Sequence, residues 1–211
     1  MRADLAAMLG TLRRGGITDP RVLEAMGSVP RELFVLPEQQ ADAYADRALA
    51  IECGQTISQP LIVAAVVQAL EVMPGDRVLD VGTGSGYQAA VLAACGARVV
   101  GVERFPALAE AARLRLAAAG FDVPVHVGDG SHGLPEEAPF DAIAVAATAP
   151  WLPPALPRQL KDGGRLVIPL HREGDSMDDL VRLRVVGGRW VTDSLGPCRF
   201  VPLIGGDAYL P

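Results

Sequence analysis

Glycine stands at every second position of Gly82-Thr-Gly-Ser-Gly86, directly behind the apolar run Val78-Leu-Asp-Val81 and ahead of the helix-forming stretch Ala89-Ala-Val-Leu-Ala-Ala94. A strand that ends in such a turn and passes straight into a helix belongs at the end of an α/β sheet. Without a Cβ at alternate positions, the backbone there can come very close to a ligand. The chain is therefore expected to carry a nucleotide-type pocket at this turn.

The rest of the chain fits that frame. Apolar runs at 77–81, 98–102, 123–127, 141–146 and 164–170 alternate with helical stretches, of which Pro106 to Ala119 is the clearest. Alternation at this spacing predicts a mostly parallel sheet with helices on both faces, a Rossmann-like α/β fold. After Pro169 the rhythm changes. Leu180 to Val186, Gly187-Gly188 and Arg189 to Leu195 read as a β-hairpin, because two glycines serve a tight turn. A final strand is expected over Arg199 to Leu203. Upstream, residues 2–14 read as an amphipathic helix ended by Gly15-Gly16, and Asp19-Pro20 as the start of a second. At 211 residues a single domain is expected, with 1–75 as an N-terminal helical cap and active-site segment over the mouth of the 76–211 core.

Charge and cysteine content narrow the class. The formal charge is −6, and all but one of the 19 basic residues are arginines scattered along the chain. No basic stripe is present, so nucleic acid is not an expected partner. Cys53, Cys95 and Cys198 are too few and too far apart for a disulfide framework or a metal pair, and no metal is expected. Such usage suits a reducing compartment. No apolar run reaches the ~20 residues a bilayer needs. A cytoplasmic protein without a membrane partner, monomeric by default, is the reading.

The glycine spacing is GxGxG rather than the GxGxxG of dinucleotide sites, and Tyr87 takes the place of the third fingerprint glycine. Glu103 ends the second strand, where a carboxylate accepts hydrogen bonds from ribose hydroxyls of either nucleotide class. The turn Val127-Gly-Asp-Gly130 adds a second acidic site, with Asp129 suited to the adenine amine. Asp80 suits the ammonium of a methionine moiety, or else stabilises the glycine turn. Together these favour S-adenosylmethionine, and the pattern resembles a class I methyltransferase.

Further segments carry a closer resemblance. Ala43-Tyr-Ala-Asp-Arg-Ala-Leu49, Cys53-Gly-Gln-Thr-Ile-Ser-Gln-Pro60, Ala138-Pro-Phe-Asp-Ala-Ile143, Gly163-Gly-Arg-Leu-Val-Ile-Pro169 and Arg199-Phe-Val-Pro-Leu203 resemble the protein-L-isoaspartate O-methyltransferase family. The likeness runs from about Gly16 to Gly206, and the GQTISQP segment is its specific part. It implies methylation of the α-carboxylate of L-isoaspartyl residues in proteins or peptides, with S-adenosylhomocysteine as product. The ester then closes to a succinimide, which begins repair. It also implies a methyltransferase sandwich with the last two strands exchanged in order. Thr56, Ile57 and Ser58 match residues that close over cofactor and acceptor, with Ser58 as the active-site serine. Gly82, Thr83, Gly84, Gly86, Glu103, Asp129 and Gly130 fall on the cofactor side, and Phe200 and Val201 on the strand that pairs with the substrate peptide.

A carboxylate, with a reference pKa of about 4, is ionised at neutral pH and needs no general base. Consistent with that, His126, His132 and His171 read as structural or surface groups. Ser58 has no nucleophile-elbow context, so it is expected to orient the acceptor. It also directly precedes Gln59-Pro60 and a helical run, so it would equally serve as an N-cap. Cys53 reads as a packing residue. Ala50, Glu52, Cys198 and Ile204 depart from the family pattern. An added carboxylate at Glu52 would repel an anionic acceptor unless it points to solvent. Three other readings stand beside the repair enzyme: a methyltransferase for normal aspartate in a dedicated peptide, a non-catalytic binding module, and a dehydrogenase.

Overall fold

The computed structural model describes residues 3–172, 174 and 176–210. Helices α1 (Ala3–Arg14) and α2 (Pro20–Ser28) lead into a small ladder of β1 (Leu49–Ala50) and β2 (Thr56–Ile57), then α3 (Pro60–Leu70). The α/β part follows as β3 (Arg77–Val81), α4 (Tyr87–Ala94), β4 (Arg98–Glu103), α5 (Pro106–Ala118), β5 (Val125–Val127), β6 (Phe140–Val145), β7 (Leu160–His171), β8 (Asp178–Val186) and β9 (Arg189–Cys198). The local signals act as read. The Asp19 carboxylate accepts from the Arg21 amide at 2.9 Å with Pro20 in the first turn, and Gly187-Gly188 takes φ of 56° and 72° in the β8–β9 hairpin.

Seven strands form one sheet in the order β5-β4-β3-β6-β7-β8-β9. Pairing is parallel from β5 to β7 and antiparallel on both sides of β8, so β8 alone runs backwards. The last two strands therefore follow β7 in chain order, as the resemblance implies. Val78, Leu79 and Val81 are wholly buried on alternate faces of β3, which is why this central strand reads as one apolar run.

The two faces are covered unequally. The buried side chains of all five α-helices pack in one cluster with Val78, Ala142, Ala144 and Val167. The other face, with Leu79, Val81, Ile143, Val145 and Ile168, is covered by Leu134, Leu156, Leu203 and Ala208 from short 3-10 turns and loops. Prolines at 150, 153, 154 and 157 explain this: each lacks an amide donor, so the connection after β6 cannot wind into an α-helix. Helices α1 to α3 likewise lie along the helical face. Within 1–75, it is the stretch from Ala48 to Val63 that reaches the mouth of the sheet.

The final expected strand does not form. Residues 199–203 are extended, with a single bridge between Thr148 and Pro202. Thr148 donates to the Val201 carbonyl at 2.8 Å and accepts from the Leu203 amide at 2.7 Å.

Candidate active site

The glycine turn sits at the carboxyl end of β3, stitched to the neighbouring strand. The Gly82 amide donates to the Val102 carbonyl at 2.9 Å, and the Gly84 amide donates to Glu103 Oε2 at 3.0 Å. Gly82 and Gly84 have φ of 77° and 55°, left-handed values that a side chain would strain. Gly86 has another task. It precedes α4, and a Cβ there would come within 3.1 Å of Leu116 Cγ, so its bareness lets α4 and α5 approach. Gly101 on β4, which the sequence did not single out, leaves the space that the Thr83 side chain fills.

Over the turn lies a cleft of about 260 Å³, walled by Thr56, Gly82, Gly84, Glu103, Gly130 and the extended residues 201–204. Glu103 is 5 % exposed; its second oxygen accepts from the Phe105 amide at 3.0 Å, so the carboxylate is fixed and faces the cleft. Ile204, one of the departures, belongs to this wall. A second compartment of about 570 Å³ adjoins it, bounded by Ser58, Gln59, Met177, Cys198, Arg199 and Phe200. Thr56, Ala146 and Val201 line both compartments. Between them a crevice of about 30 Å³ brings Ile57 and Ser58 against Gly82, Thr83 and Gly84.

Thus Thr56, Ile57, Ser58, Gly82, Thr83, Gly84, Glu103, Gly130, Phe200 and Val201 converge on one composite site. Asp80, Gly86 and Asp129 stand outside its walls. Asp80 is completely buried beneath the turn. Its Oδ1 accepts from Gln88 Nε2 at 2.7 Å, while Oδ2 has no partner. Burial is the main cause that pushes its pKa up to about 6, with Glu103 adding repulsion and the Gln88 bond opposing. The turn is thus not held by Asp80 through backbone amides.

Asp129 has structural partners of its own. Oδ1 accepts from the amide and hydroxyl of Ser131 at 2.9 and 2.7 Å, and Oδ2 accepts from the Gly206 amide at 2.8 Å. It holds the chain that carries the 201–204 wall, a structural task beside the adenine contact expected of it. Exposed His132 lies 3.7 Å from Asp129 Oδ2, closer to the acidic turn than the sequence suggested.

Ser58 is not the cap of α3. Gln59 occupies that position without a side-chain bond, and Asp46 Oδ1 instead accepts from the Leu61 amide at 2.9 Å. The serine hydroxyl is engaged by no described residue. Its carbonyl, by contrast, accepts from Nη2 of the wholly buried Arg31 at 2.7 Å. Nothing in the sequence flagged Arg31, and Asp46 entered only within the 43–49 segment of the family resemblance.

The departures resolve in place. Glu52 makes a two-pronged pair with Arg115 at 2.5 and 3.1 Å and lines neither compartment. Burial works against that carboxylate's ionisation, but the Arg115 bonds outweigh it and hold the pKa low. Cys198 is 3 % exposed, and burial pushes its thiol up to about 12. Cys53 is exposed with φ of 57°, so it is a turn residue and not a packing one. Among the described residues, Arg199 is the one charged residue on the wall of the larger compartment.

Among the described residues no helix is long and apolar enough to cross a membrane, and no group of three or more His, Cys, Asp or Glu could hold a metal ion.

Known proteins match the chain over nearly its whole length. A protein-L-isoaspartate O-methyltransferase of Koribacter versatilis is 50% identical over 210 residues, covering 99% of this chain and 94% of that protein. The enzyme of the same name from Methylorubrum populi is 55% identical over 203 residues, 95% of each chain. A solved protein-L-isoaspartate O-methyltransferase superposes with a TM-score of 0.85 at 28% identity, covering 97% of this chain and 67% of that one. A Plasmodium falciparum structure described as a beta-aspartate methyltransferase in complex with S-adenosyl-L-homocysteine superposes with a TM-score of 0.80 at 28% identity, covering 94% and 97%. The protein-L-isoaspartate(D-aspartate) O-methyltransferase family matches residues 3–208, and the chain belongs to it.

Proposed function

We propose that this protein transfers a methyl group from S-adenosylmethionine to the α-carboxylate of L-isoaspartyl residues in damaged proteins and peptides. The observation that carries the reading is the pair of compartments with a common wall at Thr56, Ala146 and Val201 and with Ser58 at their junction. The smaller has the features a nucleoside sulfonium requires. Gly82 and Gly84 leave room for close backbone approach, and Glu103 presents a fixed carboxylate to ribose hydroxyls. The unpartnered Oδ2 of Asp80, in the strand just under the turn, is the natural counter-charge for the amino-acid ammonium. Bound there, S-adenosylmethionine supplies an electrophilic methyl group.

The larger compartment suits an anion. Among the described residues its wall carries Arg199 and no carboxylate, and Cys198 stays a neutral thiol. No base is needed, because the acceptor arrives ionised. The residues have instead to strip water and align the acceptor oxygen with the methyl carbon, since charge disperses as carboxylate and sulfonium become neutral products. The free hydroxyl of Ser58 donates to the attacking oxygen and fixes its direction. Phe200 and Val201 present the extended edge along which the peptide lies. The Phe200 amide is held by Asp178 Oδ2 at 3.2 Å and the Val201 carbonyl by Thr148, so the segment is rigid before substrate arrives.

Three unpaired cysteines support a cytoplasmic setting.

The test offers S-adenosylmethionine with two peptides that differ only in an isoaspartyl or a normal aspartyl linkage, and counts base-labile methyl esters. Esters on the isoaspartyl peptide alone are expected. Transfer to the normal peptide alone would overturn the reading in favour of a dedicated aspartate methyltransferase.

A further inference from the structure

We propose that Arg31 is a positioning residue for methyl transfer: its buried guanidinium locks the Ser58 main chain to the start of α4, so that the donor and acceptor compartments keep one fixed separation. The inference rests on the function proposed above.

Arg31 lies in a 3-10 turn just after Val29-Pro30 and is 0% exposed. Nε donates to the Ala43 carbonyl and Nη2 to the Ser58 carbonyl, each at 2.7 Å. The guanidinium carbon stands 4.5 Å from the centroid of the Tyr87 ring. Tyr87 is the first residue of α4, immediately behind Gly86, and Phe34 packs edge-on against the same ring at 5.6 Å. One side chain therefore joins the helix that continues the donor turn to the residue that faces the acceptor.

Stability does not explain the choice. A charge withdrawn from water is costly even when hydrogen-bonded, and an apolar side chain of similar volume often serves a core at least as well. Here Nη1 is buried without a partner, and among the described residues no carboxylate pairs with the group. What a guanidinium adds is geometry: a planar fork that serves two carbonyls while its face rests on an aromatic ring. Fixing the Ser58 carbonyl fixes the peptide plane after Ser58, and so restricts where the Cα–Cβ bond can carry the hydroxyl.

The segment has other anchors. Asp46 holds the first turn of α3 through the Leu61 amide, and the Tyr44 hydroxyl donates to the Glu32 carboxylate. Changing Arg31 thus loosens alignment and leaves the segment attached.

The experiment compares Arg31→Lys, Arg31→Met, Ser58→Ala and the Arg31→Met/Ser58→Ala double variant with the wild type. It measures kcat and KM for an isoaspartyl peptide and the affinity for S-adenosylhomocysteine by calorimetry. A misplacement of about 1 Å at the reacting centre costs on the order of 100-fold. The expected result is a kcat loss of roughly 10- to 100-fold in both Arg31 variants. S-adenosylhomocysteine affinity should stay within about threefold of the wild type. In the double variant the two losses should fail to multiply, because residues acting as one unit are not additive. Unchanged kcat, losses that multiply, or a parallel loss of S-adenosylhomocysteine affinity would each overturn the proposal. So would failure of both Arg31 variants to fold, which would make the residue purely architectural. A wild type that turns over neither peptide would instead refute the proposed function.

Discussion

Replacing Asp80 with asparagine isolates the cost of keeping a carboxylate under the glycine turn. Burial raises this group from 3.8 to about 6 in the folded protein. A carboxyl whose folded pKa lies above its unfolded value binds its proton more tightly when folded. Its contribution to stability is complete below pH ~4 and is lost as the pH rises through ~6. At about 1.4 kcal/mol per unit, the ionised form costs about 3 kcal/mol at neutral pH, of which about 2 kcal/mol develops between pH 4.5 and 7.5. Asparagine keeps the acceptor for Gln88 but does not titrate. Urea unfolding of wild type and Asp80→Asn across that range should show their stability difference shifting by about 2 kcal/mol in favour of the variant as the pH rises. Fixed effects of the amide cancel in that slope, as do all other titrating groups. A donor ammonium beside Oδ2 favours the ionised form. S-adenosylhomocysteine affinity should therefore rise between pH 5 and 7 in the wild type and stay level in the variant. A stability difference flat to within about 0.5 kcal/mol would refute the electrostatic account of Asp80.

Ser58→Ala should lose most of its turnover while binding S-adenosylhomocysteine as the wild type does; calorimetry beside the peptide assay checks both, and unchanged turnover would remove the serine from the mechanism. Asp129→Ala deletes the acceptor for Ser131 and Gly206, so about 1–3 kcal/mol of stability should go, with faster amide exchange over 201–206. These bonds outweigh burial and hold the Asp129 pKa low, so the loss should be full at neutral pH and shrink as the pH falls through that lowered value. Burial raises Cys95 to about 11 and Cys198 to about 12, so a disulfide exchange reagent at pH 8 should label Cys53 quickly and the other two only on unfolding.

Much of this architecture is legible in the chain because single-residue chemistry dictates it. Apolar runs buried on both faces mark the central strands, Gly-Gly marks the hairpin, and Asp-Pro marks a helix start. The converging residues of the donor cleft were readable for the same reason, since Gly82, Gly84 and Glu103 act through their own backbone or charge. What stayed hidden depends on partners remote in sequence. Arg31 follows Val-Pro and looks like any surface arginine until residues 43, 58 and 87 close around it. Asp46 caps a helix 15 residues away and so displaces the adjacent serine from that task. Asp129 was readable as an acidic turn residue, but its bond to Gly206 was not, because that partner lies 77 residues off. The unequal sheet faces trace to prolines, whose effect on a helix outweighs the apolar pattern around them.

Because β8 and β9 are laid down in chain order, the sheet is finished at its rim by Cys198, far from β3. The residues that follow must double back across the strand ends to dock on Thr148. Synthesis therefore reaches positions 201–204 after every strand is already made. A nascent chain with all seven strands still lacks the 201–204 wall of its sulfonium site, so methyl transfer waits until those residues have been made.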